Sequence, residues 1–143
     1  MIAMNDKYKI IAKYIKDMSS ETPDIDTYLF VKDNLSNYTL DINIQSKALK
    51  EKIIQIETTL NYSDKNESNK KSFFEMVYAT VIRLNEETKN KEDLAKIVLV
   101  DVQNEIYPEL EKAFLNIMHG SGYEDLKFTK KINFDELYEN NKN

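Results

Sequence analysis

The sequence is poor in the residues that usually carry catalysis and sharp backbone turns. Its 143 residues include no cysteine, no tryptophan, two glycines, two prolines and one histidine. The absence of cysteine excludes disulfides, thiol catalysis and zinc–thiolate sites. With only two glycines, the chain has no Gly-rich phosphate loop. No serine or threonine has a credible partner base, because the lone His119 adjoins Gly120 at a predicted helix end, where it serves as a cap or faces solvent.

Carboxylates are the other candidates for catalysis or metal binding. Adjacent or near-adjacent pairs occur in segments that we expect to be solvated, namely Glu86/Glu87, Glu109/Glu111 and Glu124/Asp125. Charge runs of this kind usually keep a surface soluble. Asp64, Asn66 and Glu67 do not have the spacing of a calcium-binding loop. The sequence therefore predicts no catalytic residue, no metal and no cofactor, and we expect a protein that is not an enzyme.

The charge balance is acidic and argues against nucleic acid as a partner. The chain carries 25 acidic residues against 20 basic ones, a net charge of −5, and Arg83 is its single arginine. Binding to a phosphate backbone normally requires a basic patch rich in arginine. The lysines are scattered among acids along the sequence, which disfavours a local basic patch.

Long hydrophobic runs are also missing. The longest apolar run, residues 97–100, is far too short to cross a bilayer, and the N-terminus lacks the apolar core of a signal peptide. We expect a cytosolic protein with no direct membrane insertion. The length favours one domain over residues 1–143, and no internal repeat or linker divides it.

Four segments in the first part of the chain have the composition and alternation of β-strands. Residues 38–46, 53–62 and 72–84 alternate apolar and polar side chains. Residues 6–18 fit either a helical stripe or a long strand, and their β-branched and aromatic side chains favour a strand. Because the connections after residue 38 are short, neighbouring strands should be antiparallel. A four-stranded antiparallel sheet is the prediction, with the segment after the first strand read as a turn.

The pattern changes to helical after the strands. Apolar residues recur every three or four positions over residues 92–118, with Pro108 predicting a break or kink and Gly120 and Gly122 ending the helix. Strands first and helices after them indicate an α+β fold, with the helices packed on one side of the sheet.

A short amphipathic helix is predicted at the C-terminus, in the stretch INFDELYEN. Asn133 fits the N-cap position and Glu136 the third position of a capping box. A helix over 134–140 is too short to be stable alone, so it must pack on something. Its apolar stripe is formed by Phe134, Leu137 and Tyr138.

Large apolar side chains appear on both faces of the last predicted strand. Phe73 alternates with Phe74 along this strand, and Val77 alternates with Met76. If helices cover one face, the other face exposes apolar groups that suit a protein partner. The sequence therefore predicts an interaction surface.

Several stretches, in the right order, resemble the SecB family of protein-export chaperones. The C-terminal INFDELY is similar to the family's Val-Asn-Phe-Asp-Ala-Leu-Phe ending, and it is the strongest match. The others are AKYIKDMSSETPD (12–24), YTLDINIQS (38–46), SFFEMVY (72–78) and NEIYPELEKAFLNIM (104–118). The resemblance runs over nearly the whole chain. It implies a SecB-like fold and a homotetramer built as a dimer of dimers.

The resemblance also implies a function and two sets of site residues. The expected function is an ATP-independent holdase that binds unfolded or non-native proteins, such as preproteins destined for the SecA motor and export. The positions that match the family's acidic SecA-binding sheet surface are Asp17, Glu21, Phe73 and Glu75. The candidates for an apolar client-binding groove are Tyr78, Tyr107, Phe134, Leu137 and Tyr138.

Two departures from the family pattern favour an alternative within it. Tyr78-Ala79-Thr80 occupies the place of the family's double glycine, which should stiffen that strand. The sequence also ends soon after the terminal helix, without the tail through which the family engages SecA. Both departures fit a SecB-like chaperone dedicated to a single client, such as an antitoxin. A third hypothesis, from another class, is a monomeric carrier that encloses a small molecule or lipid in one cavity.

Overall fold

The computed structural model describes residues 7–66, 70–85 and 90–140. The acidic candidates Glu67, Glu86 and Glu87 lie outside the described residues, as do Asp6 at the start of the first predicted strand and Asn141. The other sequence-based candidates lie within these ranges.

A four-stranded antiparallel sheet forms the first half of the described chain. Its strands are β1 (Tyr8–Glu21), β2 (Tyr38–Lys50), β3 (Ile53–Asp64) and β4 (Phe73–Leu84). The order across the sheet is β1-β4-β3-β2, so the N-terminal segment joins as a strand and lies at one edge. All four strands were predicted. Each begins within two residues of its predicted start, and each ends at its predicted end or up to four residues beyond it.

The two faces of the sheet differ in burial because alternate side chains point to opposite sides. The core face carries the even-numbered residues of β3 and β4, of which Ile56, Leu60, Met76 and Ile82 are completely buried. The outer face carries the odd-numbered residues, which are half-buried on β3 and include the exposed Phe73 and Arg83 on β4. Helices cover the core face only.

One helix was not predicted from the sequence. The segment that was expected to be a turn continues into α1 (Ile25–Asp33). Its N-cap is Asp24, whose carboxylate accepts a hydrogen bond of 2.8 Å from the backbone N–H of Thr27. Pro23 ends the preceding strand, but the capping signal one residue later starts a new helix. The helix leaves Ile25 and Leu29 more than half exposed.

The long helix of the second half runs from Lys91 to Gly120 through one irregular turn. It comprises α2 (Lys91–Lys96), a π turn (Ile97–Asp101) and α3 (Val102–Gly120). The π turn is anchored where the Val102 N–H donates to the carbonyl of Ile97, five residues back. The helix is not broken at Pro108, which lies inside continuous α3, and the irregular π turn lies more than one turn upstream of it.

A buried polar link holds the π turn to the sheet. The side chain of Gln103 is completely buried, donating 3.2 Å to the carbonyl of Val98 and accepting 3.0 Å from the hydroxyl of Thr58 on β3. Burying a side-chain amide without hydrogen-bond partners would lower the free energy of unfolding by several kcal/mol. Because the amide oxygen and the amide nitrogen of Gln103 each have a hydrogen-bond partner, the link holds the π turn to the sheet without this cost.

The chain turns after α3 and runs extended to the last helix. Gly122 has a φ of 106°, a conformation that favours glycine, and its carbonyl accepts a hydrogen bond of 2.6 Å from the Tyr28 hydroxyl. His119 hydrogen-bonds the carbonyl of Leu126 at 2.7 Å, so it links the helix end to the following segment and neither caps the helix nor faces solvent freely, as had been expected. The last helix, α4 (Phe134–Asn140), has the predicted bounds.

These elements confirm the predicted fold class. The chain is α+β, with a four-stranded antiparallel sheet, a long helix containing a proline, and a short C-terminal helix. The Asn133 side chain caps α4 as predicted, accepting 3.0 Å from the Glu136 N–H.

Candidate functional site

A long groove opens on the core face at the β2 edge of the sheet. The groove has a volume of 1080 Å³. One side is the edge strand, where the consecutive residues Tyr38 to Ile42 all contribute to the lining. The other side is the extended segment of residues 125–133 together with α4. The long helix covers the middle of the core face and leaves this edge open.

The floor of the groove is apolar and aromatic. Leu40 and Ile42 of β2 are half-buried against the core. Behind them, Tyr62 forms edge-to-face contacts with Phe114 and Phe128, with ring centroids 6.3 and 5.6 Å apart. Burial raises the pKa of the Tyr62 phenol to about 12, so this ring is uncharged at neutral pH. The floor can therefore accept apolar groups without placing them beside a buried charge.

The predicted groove residues fall into three groups. Tyr107 and Leu137 line the groove, the former buried and the latter 43% exposed. Phe134 is buried behind the wall, with its ring 5.5 Å from that of Tyr107. Burial, followed by the nearby Glu111 carboxylate, raises the pKa of Tyr107, so this ring is also neutral.

The two remaining candidates do not line this groove. Tyr138 is half-buried and packs against the core on another side of α4. Tyr78 is buried on β4, opposite Ile15 of β1, near the far edge of the sheet. Burial, followed by the charge of Glu109, raises the pKa of Tyr78. Leu40, Ile42, Phe128 and Ile132 are among the groove residues that the sequence did not single out, because they belong to a strand and a segment that were predicted only as structural elements.

The four residues predicted for an acidic partner surface share the outer face. Glu21 pairs with Phe73 across β1 and β4, Asp17 pairs with Val77, and Ser19 pairs with Glu75. Directly paired residues of an antiparallel ladder lie on the same face, so the four side chains form one cluster. Phe73 is 61% exposed, and it is bordered by the carboxylates.

The local contacts keep this cluster acidic. Glu75 accepts a hydrogen bond of 3.2 Å from the side-chain amide of Asn61 on β3, which fixes its position without neutralising it. A salt bridge on the same sheet joins Lys16 to Glu57, further along the strands. That bridge lowers the pKa of Glu57 through the hydrogen bond from Lys16. The cluster thus presents an exposed aromatic ring among carboxylates.

Comparison with known proteins identifies the family. The family model described as "Preprotein translocase subunit SecB" matches residues 3–143. The chain belongs to the SecB family. A putative protein-export protein SecB of Pelagibacter ubique is 50% identical over 140 residues, covering 98% of this chain and all of the relative. Protein-export protein SecB of a Bradyrhizobium strain is 28% identical, covering 92% of this chain and 80% of the relative.

A solved structure shares the SecB-like fold at low sequence identity. It is a SecB-like chaperone of Mycobacterium tuberculosis in complex with a peptide from an antitoxin. The TM-score is 0.60 at 11% identity, with 88% of this chain and 87% of the other covered. The family is one of chaperones in protein export, and membership together with the SecB-like fold supports a chaperone or export role for this chain.

Metal and membrane features are not found in the described part of the chain. Among residues 7–66, 70–85 and 90–140, no three acidic or histidine side chains come together in a way that could hold a metal ion. No helix within the same ranges combines the length and hydrophobicity needed to cross a bilayer.

Proposed function

We propose that this SecB protein is an ATP-independent holdase that binds extended segments of non-native proteins in the groove along β2. The observation that carries the proposal is the apolar groove beside an edge strand in a chain of the SecB family. The groove is lined by five consecutive residues of that strand, Tyr38 to Ile42. Folded proteins have few extended apolar segments free to enter it, which supports selectivity for unfolded chains.

The edge strand adds backbone recognition to apolar contact. Among the described strands β2 pairs with β3 alone, and the open side of an edge strand offers backbone N–H and C=O groups for pairing. An extended client can hydrogen-bond to these groups while alternate side chains point into the apolar floor. Backbone bonds are independent of sequence, which suits a chaperone with many clients. No nucleotide is required, because release follows from the client's own folding.

A homotetramer is proposed as the working form, and β1 supports an interface. β1 is the other edge of the sheet, and it exposes Ile11, Tyr14 and Ile15 by more than 40% each. Such a stripe on a free edge is an association surface. Several grooves on one oligomer would hold separate segments of one client and raise the overall affinity. The cytosol is the proposed location.

Preproteins on the way to SecA are the first client class that we propose, with the outer-face cluster as the SecA contact. Carboxylates around an exposed ring attract a basic partner, and the ring supplies apolar area. A dedicated client is the second candidate, because the structural neighbour binds an antitoxin peptide. A small-molecule or lipid carrier is the third, although a groove open along a strand suits an extended chain better than an enclosed ligand.

The first test combines an aggregation assay with a mass measurement. The purified protein is mixed with a chemically denatured, slow-folding reporter without ATP, and light scattering is followed while native mass is recorded. We expect suppression of aggregation near one tetramer per reporter, with no binding to the folded reporter. A monomer that leaves aggregation unchanged would refute the holdase and favour the carrier.

A charge placed on the groove wall should weaken client binding. Leu137 lines the groove at 43% exposure, so Leu137→Glu should leave folding intact. Losing the burial of one leucine against a client costs about 1.5 kcal/mol, roughly tenfold in Kd. The measurement is fluorescence anisotropy with a labelled, unstructured apolar peptide. Leu49→Glu is the matched control, since Leu49 is 45% exposed on β2 beyond the groove. Equal effects of both variants would exclude α4 as a client contact.

The SecA proposal has its own test on the opposite face. Phe73→Ser should weaken binding of purified SecA by about tenfold, because an exposed aromatic at the centre of an interface is a typical hot spot. Client peptide binding should stay unchanged, since Phe73 faces away from the groove. Surface plasmon resonance with immobilised SecA measures the first quantity. Absence of any SecA binding by the unmodified protein would favour the dedicated-client candidate.

A further inference from the structure

The groove gathers positive charge within an acidic protein. Its lining includes Lys32, Lys127, Lys130 and Lys131, all with exposed side chains, although the chain has a net charge of −5. The scatter of lysines among acids along the sequence disfavoured such a patch, although Lys127, Lys130 and Lys131 lie close together in the sequence. Folding places these three lysines at the groove, because the extended segment after α3 forms one of its walls. The fourth comes from the end of α1 on the other side.

The acids of the groove do not cancel this charge. Asp41 lines the groove but forms a salt bridge of 2.6 Å with Lys65, outside the lining. Asp125 and Glu136 are the other two acids of the lining. The four lining lysines therefore outnumber these two remaining acids, and the surplus lies on the wall formed by residues 127–131.

The lysines of the 127–131 wall form a basic rim of the groove, and this rim faces particular side chains of an extended client. A segment lying along the β2 edge directs alternate side chains to opposite sides. If apolar residues enter the floor between Leu40 and Phe128, the residues between them point towards the mouth of the groove. The lysines of the 127–131 wall border this mouth. Ammonium groups on flexible stems can reach carboxylates there without a fixed geometry.

We infer that the groove selects, among non-native segments, those in which acidic residues alternate with or directly flank the apolar ones. This inference rests on the proposed holdase function and names its preferred class of client. Basic segments are disfavoured by the same rim, so the groove and the acidic outer face recognise partners of opposite charge. The lysines are exposed, so the preference is a matter of a few-fold and depends on salt.

The test compares three labelled peptides that share one alternating apolar core. The residues between and beside the apolar ones are glutamate in the first peptide, serine in the second and lysine in the third. Anisotropy titrations are made at about 0.02 M and about 0.5 M ionic strength, where screening lengths differ severalfold. We expect the glutamate peptide to bind about fivefold tighter than the serine peptide at low salt, and the difference to shrink at high salt.

A matched pair of double variants locates the effect. Lys130→Gln with Lys131→Gln removes two positive charges from the groove wall, and it should bring the ratio of the serine-peptide Kd to the glutamate-peptide Kd close to one. Lys9→Gln with Lys50→Gln makes the same change in net charge on exposed strand positions outside the groove, and it should retain the preference.

The outcomes separate this inference from the proposed function. Equal binding of all three peptides, tightest binding of the lysine peptide, or equal loss of preference in both double variants would overturn the inference and leave a holdase without charge selection. Binding of none of the peptides, together with unchanged reporter aggregation, would overturn the holdase proposal itself.

Discussion

Phe134→Ala should destabilise the protein by about 3 kcal/mol and weaken client binding at least tenfold. Phe134 is 2% exposed, and its ring packs edge-to-face on Tyr107 of α3. Phe134 is the buried residue of α4, and the helix also contacts the π turn. Truncation leaves a cavity under a helix of seven residues, which is too short to remain helical once it undocks.

The loss of α4 would remove one wall of the groove while the sheet stays folded. Leu137, the exposed apolar residue of that wall, would leave with the helix. Client binding should therefore fall even at temperatures where circular dichroism reports a folded sheet. Urea denaturation measures the stability, hydrogen exchange over residues 134–140 measures the undocking, and peptide anisotropy measures the binding.

Phe73→Ala is the control for this prediction. It removes the same side chain from a position that is 61% exposed on the outer face. We expect a change in stability within about 0.5 kcal/mol and unchanged peptide binding. If Phe134→Ala behaved like Phe73→Ala in both measurements, α4 would be neither anchored by its phenylalanine nor part of the client site.

Two buried threonines should respond in opposite directions to the same substitution. Thr58→Val should destabilise the protein by about 2 kcal/mol, because it leaves the buried carbonyl oxygen of the Gln103 side chain without its donor. Thr80 is also completely buried on the core face, but its hydroxyl has no hydrogen-bond partner within the described ranges. Thr80→Val exchanges an unsatisfied hydroxyl for a methyl group, so it should stabilise by about 1 kcal/mol.

The informative result is whether Thr58→Val and Thr80→Val change the free energy of unfolding in opposite directions. Both residues are β-branched, both lie on central strands, and valine matches threonine in shape. The intrinsic strand preference and the volume change are therefore nearly the same for the two variants. Thermal and urea unfolding of the two variants measure the change in the free energy of unfolding. Equal destabilisation by both would mean that the Thr58–Gln103–Val98 link contributes nothing specific to the position of the π turn.

Much of the fold could be predicted because its signals are local and periodic. Alternation along residues 38–46 and 53–62 indicates strands, since a half-buried strand must alternate. The Asn133 cap and the apolar stripe after it are also local signals, and they predict the bounds of α4. α1 was missed because its pattern is weak, with Ile25 and Leu29 left exposed. The π turn carries no sequence signal of its own, whereas Pro108 is a strong local signal at a different position of the same helix.

The site was less predictable than the fold. The family resemblance named Asp17, Glu21, Phe73 and Glu75 as a set, and the strand register places the four on one face, although their role as a partner surface stays a prediction. Tyr107 and Leu137 do line the groove, whereas Tyr78 lies near the other edge of the sheet. Leu40 and Ile42 were recognised as strand residues but not as floor.

The sequence by itself determined the fold class, the family and the absence of thiol and Gly-loop chemistry. These follow from composition, periodicity and the order of short motifs, which are properties of neighbouring residues. Only the tertiary structure decided which apolar residues remain open to a partner and where the lysines collect. Helix α3 covers the centre of the core face and leaves the β2 edge free, while the segment after it places Lys127, Lys130 and Lys131 beside that edge. The three lysines are neighbours in sequence, but their position beside β2 depends on contacts between residues far apart in the chain, which no local pattern encodes.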